Sequence, residues 1–420
     1  MVASTDIKFY VHTNNNAPQL TNNFGCMLSV LDAALINGIQ IGTVSSLTAS
    51  GKIVTAVFGT AHNLMQYQVI KIAGANQVEY NVEARILTVP NATTITLELA
   101  TIPSVVTATG VISCSLPPLG WEKPFGSVNG AGGGKGAYRS KNLMLPSRPF
   151  LRVVDELDPA YTATYAKYAK VGIVEDMTDI DTMLGVQAPF DPAKPNKNWV
   201  GTGSEGFVIN GWAKWYYARS SGFNSSENDT NTPSSGSRSY IVIGNGDYFY
   251  ILPSAIPNNA THISYGFGSF DTLSTIDSSN IFLSSTLSAE VAITGDQKAV
   301  YTGLCGSIPT QKIVLQRGYQ QNQVSVDAKN ISLGFALEIS SGAANYIGDS
   351  SLNGIAPFAP VFISETVLRG VVPGIFWVFQ TRPYQHLAVI EENNQLFMAI
   401  NCATSAGVNI GQLIFRIGGL

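Results

Sequence analysis

Charge is what this sequence has least of. Lys, Arg, Asp and Glu make up only 12% of the 420 residues, about half the share of an ordinary soluble domain. The 24 basic and 28 acidic side chains leave a net charge of −4, and no basic stripe of the kind that neutralises a phosphate backbone runs through them. Nucleic acid is thereby excluded as an expected partner. The surface must be covered mostly by Ser, Thr, Asn, Gln and Gly. Such a surface suits a protein held among neighbours in an assembly better than a free monomer, which relies on interspersed charge for solubility.

Cysteine and histidine are also scarce, with four of each. Cys26, Cys114, Cys305 and Cys402 lie far apart with no C-x-x-C pair, so neither a metal knot nor a redox pair is signalled. They read as buried free thiols. His12, His62, His262 and His386 fall in no zinc pattern. A G-x-S-x-G elbow is absent, since "GFGSFD" and "GTGSEG" have other spacings. No catalytic residue, enzyme activity or cofactor is expected. Long apolar runs are missing too: "VLRGVVPGIFWVF" (367–379) is short and broken by Arg369 and Pro373, which excludes a helical membrane span. "MVASTDIKFYVHTNNN" has no basic flank before an apolar core, so no signal peptide is read and synthesis and assembly in a cytoplasm are expected.

What is present is mostly strand. "KIVTAVFG" (52–59), "YQVIKIAG" (67–74), "TITLELA" (94–100), "YIVIGNGDYFYIL" (240–252) and "QLIFRIG" (412–418) are rich in β-branched and aromatic residues and bounded by turn formers. The 40 Gly and 20 Pro fit many tight turns. "FGCMLSVLDAALINGI" is the exception. It puts Met27, Leu28, Leu31, Ala34 and Leu35 on one helical face, closed by Asn37-Gly38. "DELDPAYTATYAKYAKVG" (155–172) reads either as a weak helix after Pro159 or as a strand. The chain is expected to be mainly β: an N-terminal helix and a multi-domain sandwich or barrel architecture.

Several stretches invite a functional reading. "VNGAGGGKGAYRS" mimics a phosphate loop, but Lys135 is followed by Gly136 and then by a strand pattern rather than a helix. A turn or loop is the expectation. Glu175, Asp176, Asp179 and Asp181 crowd four carboxylates together without EF-hand spacing. They read as a capped turn, with a hard structural cation as the sharper alternative. Trp199, Trp212, Trp215, Tyr216 and Tyr217 suit core packing better than a sugar-stacking platform. The polar stretch 216–240 reads as an exposed loop, with a contact to a neighbouring subunit or host surface as the alternative. "LRGVVPGIFWVFQTRP" (368–383) combines Arg369 and Arg382 with Trp377 and Phe379. Arg and large aromatics concentrate binding energy at interfaces, while the alternation of Ile375, Trp377 and Phe379 equally fits a strand facing a core.

Residues 44–115 read as a self-contained small β-module, and "TAHNL" (60–64), "VIKIAG" (69–74) and "YNVEARILTV" (80–89) carry a likeness. The stretch resembles small β-modules of bacteriophage tail fibres and other virion proteins, with Asn63 and Val82 where that pattern has glycine. Removing it joins the helix to "PPLGWEKPFGSVNGAGGGKGAYRS". The joined text, through Leu31, Asp32, Ala33, Asn37, Gly38, Gly120, Trp121, Lys123, Phe125, Tyr138, Arg139 and Ser140, resembles the N-terminus of tailed-bacteriophage virion structural proteins. "EDMTDIDTM" (175–183), "GNGDYFYIL" (244–252), "YGFGSFDTL" (265–273) and the 368–383 stretch follow in the order of that family.

The resemblance implies a self-assembling virion component of the tail, baseplate or neck. It would be a homo-oligomer in contact with other virion proteins, with no membrane partner, and with Trp121 and Arg139 joining Arg369, Trp377, Phe379 and Arg382 as interface candidates. Two rival readings remain: a receptor-binding adhesin or tail spike that binds host glycan, and a capsid decoration protein. The expected domains are 1–43 continuing at 116–170, the inserted 44–115, and a β-rich 171–420.

Overall fold

The helical signal becomes one α-helix, Cys26–Leu31, that passes directly into a π-helical turn, Asp32–Asn37. All five residues expected on its apolar face are buried. Gly38 ends it at φ 74° with its amide on Ala33 O at 2.8 Å. The other end has no side-chain cap of its own. Asp155 supplies one from a distant strand, accepting the Met27 amide at 2.9 Å and the Tyr217 hydroxyl at 2.6 Å.

The computed structural model describes residues 3–203, 210–221, 229–287, 300–304, 312–321, 324–331, 358–378, 382–403 and 410–420. Among them the fold is mainly β, in three sheets. Residues 155–172 hold no helix: 155–156 and 167–172 are strand, and 157–166 between them are turns and irregular chain. Lys167–Met177 pairs with Phe150–Glu156, and nearly all of it is buried, which favours its β-branched and aromatic residues. This strand runs through residue 170, so the chain on both sides of that position shares one sheet. Its order is Thr286–Leu287, Ala213–Ala218, Lys167–Met177, Phe150–Glu156, Gly133–Ser140, Trp121–Gly126, with Met183–Ala188 also on Lys167–Met177.

The glycine-rich stretch is a hairpin turn of this sheet, closed by the Gly130 and Gly133 amides and carbonyls. At Gly133, φ is 87° and a Cβ would fall 1.9 Å from Asp155 O. Glycine is required there because the hairpin pairs edge to edge with the strand that caps the helix.

The second sheet has 13 strands among the described residues. Lys8–Val11 lies at one end against Tyr240–Gly244, and Ile410–Gly419, Gln395–Ala403 and Val389–Glu392 lie at the other. "YIVIGNGDYFYIL" is two strands, turned where Asn245 Oδ1 accepts the amides of Asp247 and Tyr248 at 2.9 and 3.2 Å. Ile241, Ile243, Tyr250 and Leu252 enter one core with Trp377, Met398 and Phe415. Val242, Phe249 and Ile251 enter the other with Trp121, Trp215 and Phe267. Burial on both faces explains why these strands read as continuous apolar runs rather than clean alternation.

The third sheet is a closed barrel of Ile39–Ser50, Ile53–Phe58, Thr94–Glu98, Glu83–Asn91, Val69–Ala75 and Gly110–Leu116, in that order around the wall. Val54, Ala56, Ile70, Ile86 and Ile95 fill it completely. Asn63, in a glycine position of the tail-fibre pattern, has φ 50°, a left-handed conformation that asparagine tolerates.

The barrel is bonded to the rest of the chain. Arg85 donates to Ser4 O, Ile7 O and Tyr67 O at 2.6 to 3.0 Å. Gln68 and Asn14 exchange two amide bonds of 3.0 Å, and Tyr67 donates to Glu391 on the C-terminal hairpin.

Candidate functional site

The acidic stretch 175–181 does not converge. Glu175 Oε1 accepts Arg317 at 2.7 Å and Oε2 accepts the Val186 amide at 2.7 Å. Asp176 accepts the Met177 amide. Asp179 caps its own turn through the amides of Asp181 and Thr182 at 2.8 and 2.9 Å. Asp181 takes Lys135 at 2.8 Å and Arg152 at 2.7 Å. Hydrogen bonds and cations hold Glu175, Asp179 and Asp181 below the usual carboxylate range against the opposing effect of burial. Among the described residues no group of three or more His, Cys, Asp or Glu is placed to hold a metal. Lys135 of the glycine-rich stretch is committed to Asp181 and Glu156, which leaves no cradle for a phosphate.

The structure corrects the interface reading for three residues. Arg369 is buried, with Nε on Asp277 Oδ2 at 2.5 Å, NH2 on Asp277 Oδ1 at 2.8 Å and NH1 on Glu365 at 2.5 Å. Trp377 is buried in the core shared with Met398 and Phe415. Trp121 is buried between sheets, its Nε1 on Asn245 O at 2.8 Å and its ring edge-on to Phe249. Arginine and tryptophan mark desolvated contacts, and here the desolvated contact is inside the chain.

Arg139 stays half-buried, on Glu122 at 2.7 Å and over the Phe150 ring. Arg382 is exposed, with φ 47°. Phe379 lies outside the described residues, as do Cys305 and parts of the 216–240 stretch.

The aromatic group 199–217 is core. Trp215 donates to Ser284 O at 2.9 Å and stacks on Tyr265, while Tyr217 binds Asp155. Three histidines gather unannounced by spacing. His262 stacks on His386 at 5.0 Å, with His12 close enough to act on its charge. His262 also bridges the chain to the C-terminal hairpin, its amide on Asn401 O at 3.0 Å and Asn401 N on His386 Nδ1 at 3.2 Å. Burial first, then His386, pushes the His262 imidazole down to about 3.

Sequence reasoning missed an apolar end of the barrel. Tyr80 donates to the carbonyls of Val105 and Val106 at 2.7 and 2.9 Å, and Glu79 accepts the Ser104 amide at 3.0 Å. Those bonds tie the turn after Val69–Ala75 to the loop before Gly110–Leu116. Val78, Ile102, Val106 and Val111 stand on this end at 76%, 69%, 64% and 86% exposure. The signal was legible only as "IPSVVTATGV", an apolar run too loose to be a strand.

No family model matches the chain, and no curated protein matches it. Among solved structures, a phage phi92 endosialidase aligns over 91% of this chain at 8% identity and a TM-score of 0.13. The alignment takes in about half of that enzyme, 51% of its length. At that score the likeness carries no argument about fold or activity. Among the described residues, no helix is long and apolar enough to cross a membrane.

Proposed function

We infer that the chain is a structural component of a tailed-phage virion, built into a symmetric multimer at the tail, baseplate or neck. The observation that carries this reading is the apolar end of the barrel. Four large aliphatic side chains, more than half exposed and held on two mutually bonded loops and the start of the strand Gly110–Leu116, form a patch that neighbours in an assembly would cover. The low charge of the chain and its ordered resemblance to virion proteins support the same reading. The chemistry asked of it is mechanical, since the stretches that suggested catalysis or metal binding are spent on internal bonds.

Mass spectrometry of purified particles tests it. The protein is expected at a few to tens of copies, and Val78→Asp with Val111→Asp is expected to leave a folded chain that no longer enters particles. Absence from purified virions overturns the reading. Hundreds of copies favour capsid decoration instead, and fully assembled particles that lack the protein and fail to adsorb to a susceptible host favour an adhesin.

A further inference from the structure

A cleft of about 510 Å³ opens between residues 145–146, the turn at Asn245, the segment 269–280, the Pro373-Gly374 bend and Arg416. That volume lies in the range of small-molecule sites. Its walls are fixed by internal bonds. Tyr250 donates to Pro373 O at 2.6 Å, and a Cβ on Gly374 would lie 2.6 Å from the Tyr248 hydroxyl. Asp247 Oδ1 accepts Asn142 Nδ2 at 2.8 Å. Asp277 is neutralised by Arg369.

The cleft also holds groups that make no hydrogen bond within the fold, two of them, Asp271 and Arg416, on exposed side chains. Among the described residues, Asp247 Oδ2, the Asp271 carboxylate and the Arg416 guanidinium have no hydrogen-bond partner, although all three residues line the same space. Asp271 feels both others. Burial and Asp247 push its carboxyl up, and Arg416 pulls it down. Asn280 adds a fourth unmet group. It is 6% exposed, its Nδ2 is spent on Ser269 Oγ and Phe270 O at 2.6 and 2.7 Å, and its Oδ1 is buried without a partner.

A ligand for this set must donate to two carboxylates and accept from a guanidinium within one small space. A cation meets the carboxylates but sits beside Arg416, and an anion does the reverse. Adjacent hydroxyls do both at no cost in charge. Leu145, Pro146, Phe270 and Pro373 line the same space and offer apolar cover for C–H faces. We propose that this cleft binds a neutral saccharide unit, its hydroxyls donating to Asp247 and Asp271 and accepting from Arg416.

The test is calorimetric titration and saturation-transfer NMR of the full chain with the methyl glycosides of glucose, galactose, mannose, rhamnose and N-acetylglucosamine. Spermidine and sialic acid serve as charged comparisons. Saturable binding of at least one neutral glycoside is expected. Asp271→Ala and Arg416→Gln are each expected to weaken it by roughly tenfold or more, as loss of a charged hydrogen bond does, with melting temperature nearly unchanged because neither exposed side chain hydrogen-bonds within the fold. The proposal is overturned if no neutral glycoside saturates, if spermidine or sialic acid binds more tightly than all of them, or if binding survives both substitutions.

Discussion

Asp155 and His262 are both buried titratable groups, and they tilt stability in opposite directions. Burial raises the Asp155 carboxyl from 3.8 to about 6, despite hydrogen bonds from Tyr217 and the helix amides. Its contribution is therefore complete below about pH 4 and is lost as pH rises through 6, to the extent of roughly 3 kcal/mol at most. His262 is lowered instead. Its contribution is present above its ordinary value of 6.5 and is lost as pH falls toward 3. Melting temperature followed from pH 7 to pH 4 should fall more steeply in Asp155→Asn than in the parent, and less steeply in His262→Gln. Parallel profiles for all three would assign the titration to other groups.

Arg369 poses a different problem at the same scale, because its guanidinium is entirely inside with two carboxylates. Arg369→Met strands Asp277 and should cost about 3–5 kcal/mol in denaturant unfolding. Adding Asp277→Asn should recover part of that loss.

Among elements, the hairpin 121–140 shows which glycines the fold requires. Gly133→Ala must accommodate φ 87° and a backbone oxygen 1.9 Å away, and should destabilise by at least about 1–3 kcal/mol. At Gly132 a Cβ meets nothing within 4 Å, so Gly132→Ala should leave the unfolding midpoint nearly unchanged. Sequence alone could not rank these two neighbours, since the difference lies in the positive φ of Gly133 and in how closely the paired strand Phe150–Glu156 runs beside it.

The helix was legible because its period of 3.6 is local, and Met27 through Leu35 face inward as spaced. Most strands were legible from β-branched runs bounded by turns. What stayed hidden was partnership across the chain: Trp121 and Trp377 have the same composition signal at a surface as in a core, and only the sheet stacked on them decides. The cleft was equally invisible, because Asp247, Asp271 and Arg416 lie as many as 169 positions apart in the sequence and meet only through the fold.

At the scale of the molecule, the barrel is a closed sheet of its own but not a loose appendage. Its interior residues belong to one continuous core with the helix and with Trp215 and Phe267 of the two larger sheets, and Arg85 bonds it to the first residues of the chain. Thermal unfolding followed by circular dichroism and calorimetry should accordingly show the barrel melting with the body. Arg85→Ala should uncouple them, speeding amide exchange in Val69–Ala75 and Glu83–Asn91 by about tenfold or more while Phe150–Glu156 exchanges as before. Equal exchange rates in the parent and the variant would show that Arg85 is not the tie.

Where the large sheet is covered on both faces, as at Tyr240–Gly244 and Tyr248–Pro253, it leaves a lineage little room to vary. A strand with one wet face can drift at every second position, whereas Ile241, Val242 and Ile243 have no wet face between them. Substitutions that survive selection should collect instead in the barrel's exposed turns and in the loops around the cleft. Those are also the surfaces open to solvent and to any partner, so the body can stay fixed while its exposed surfaces diverge.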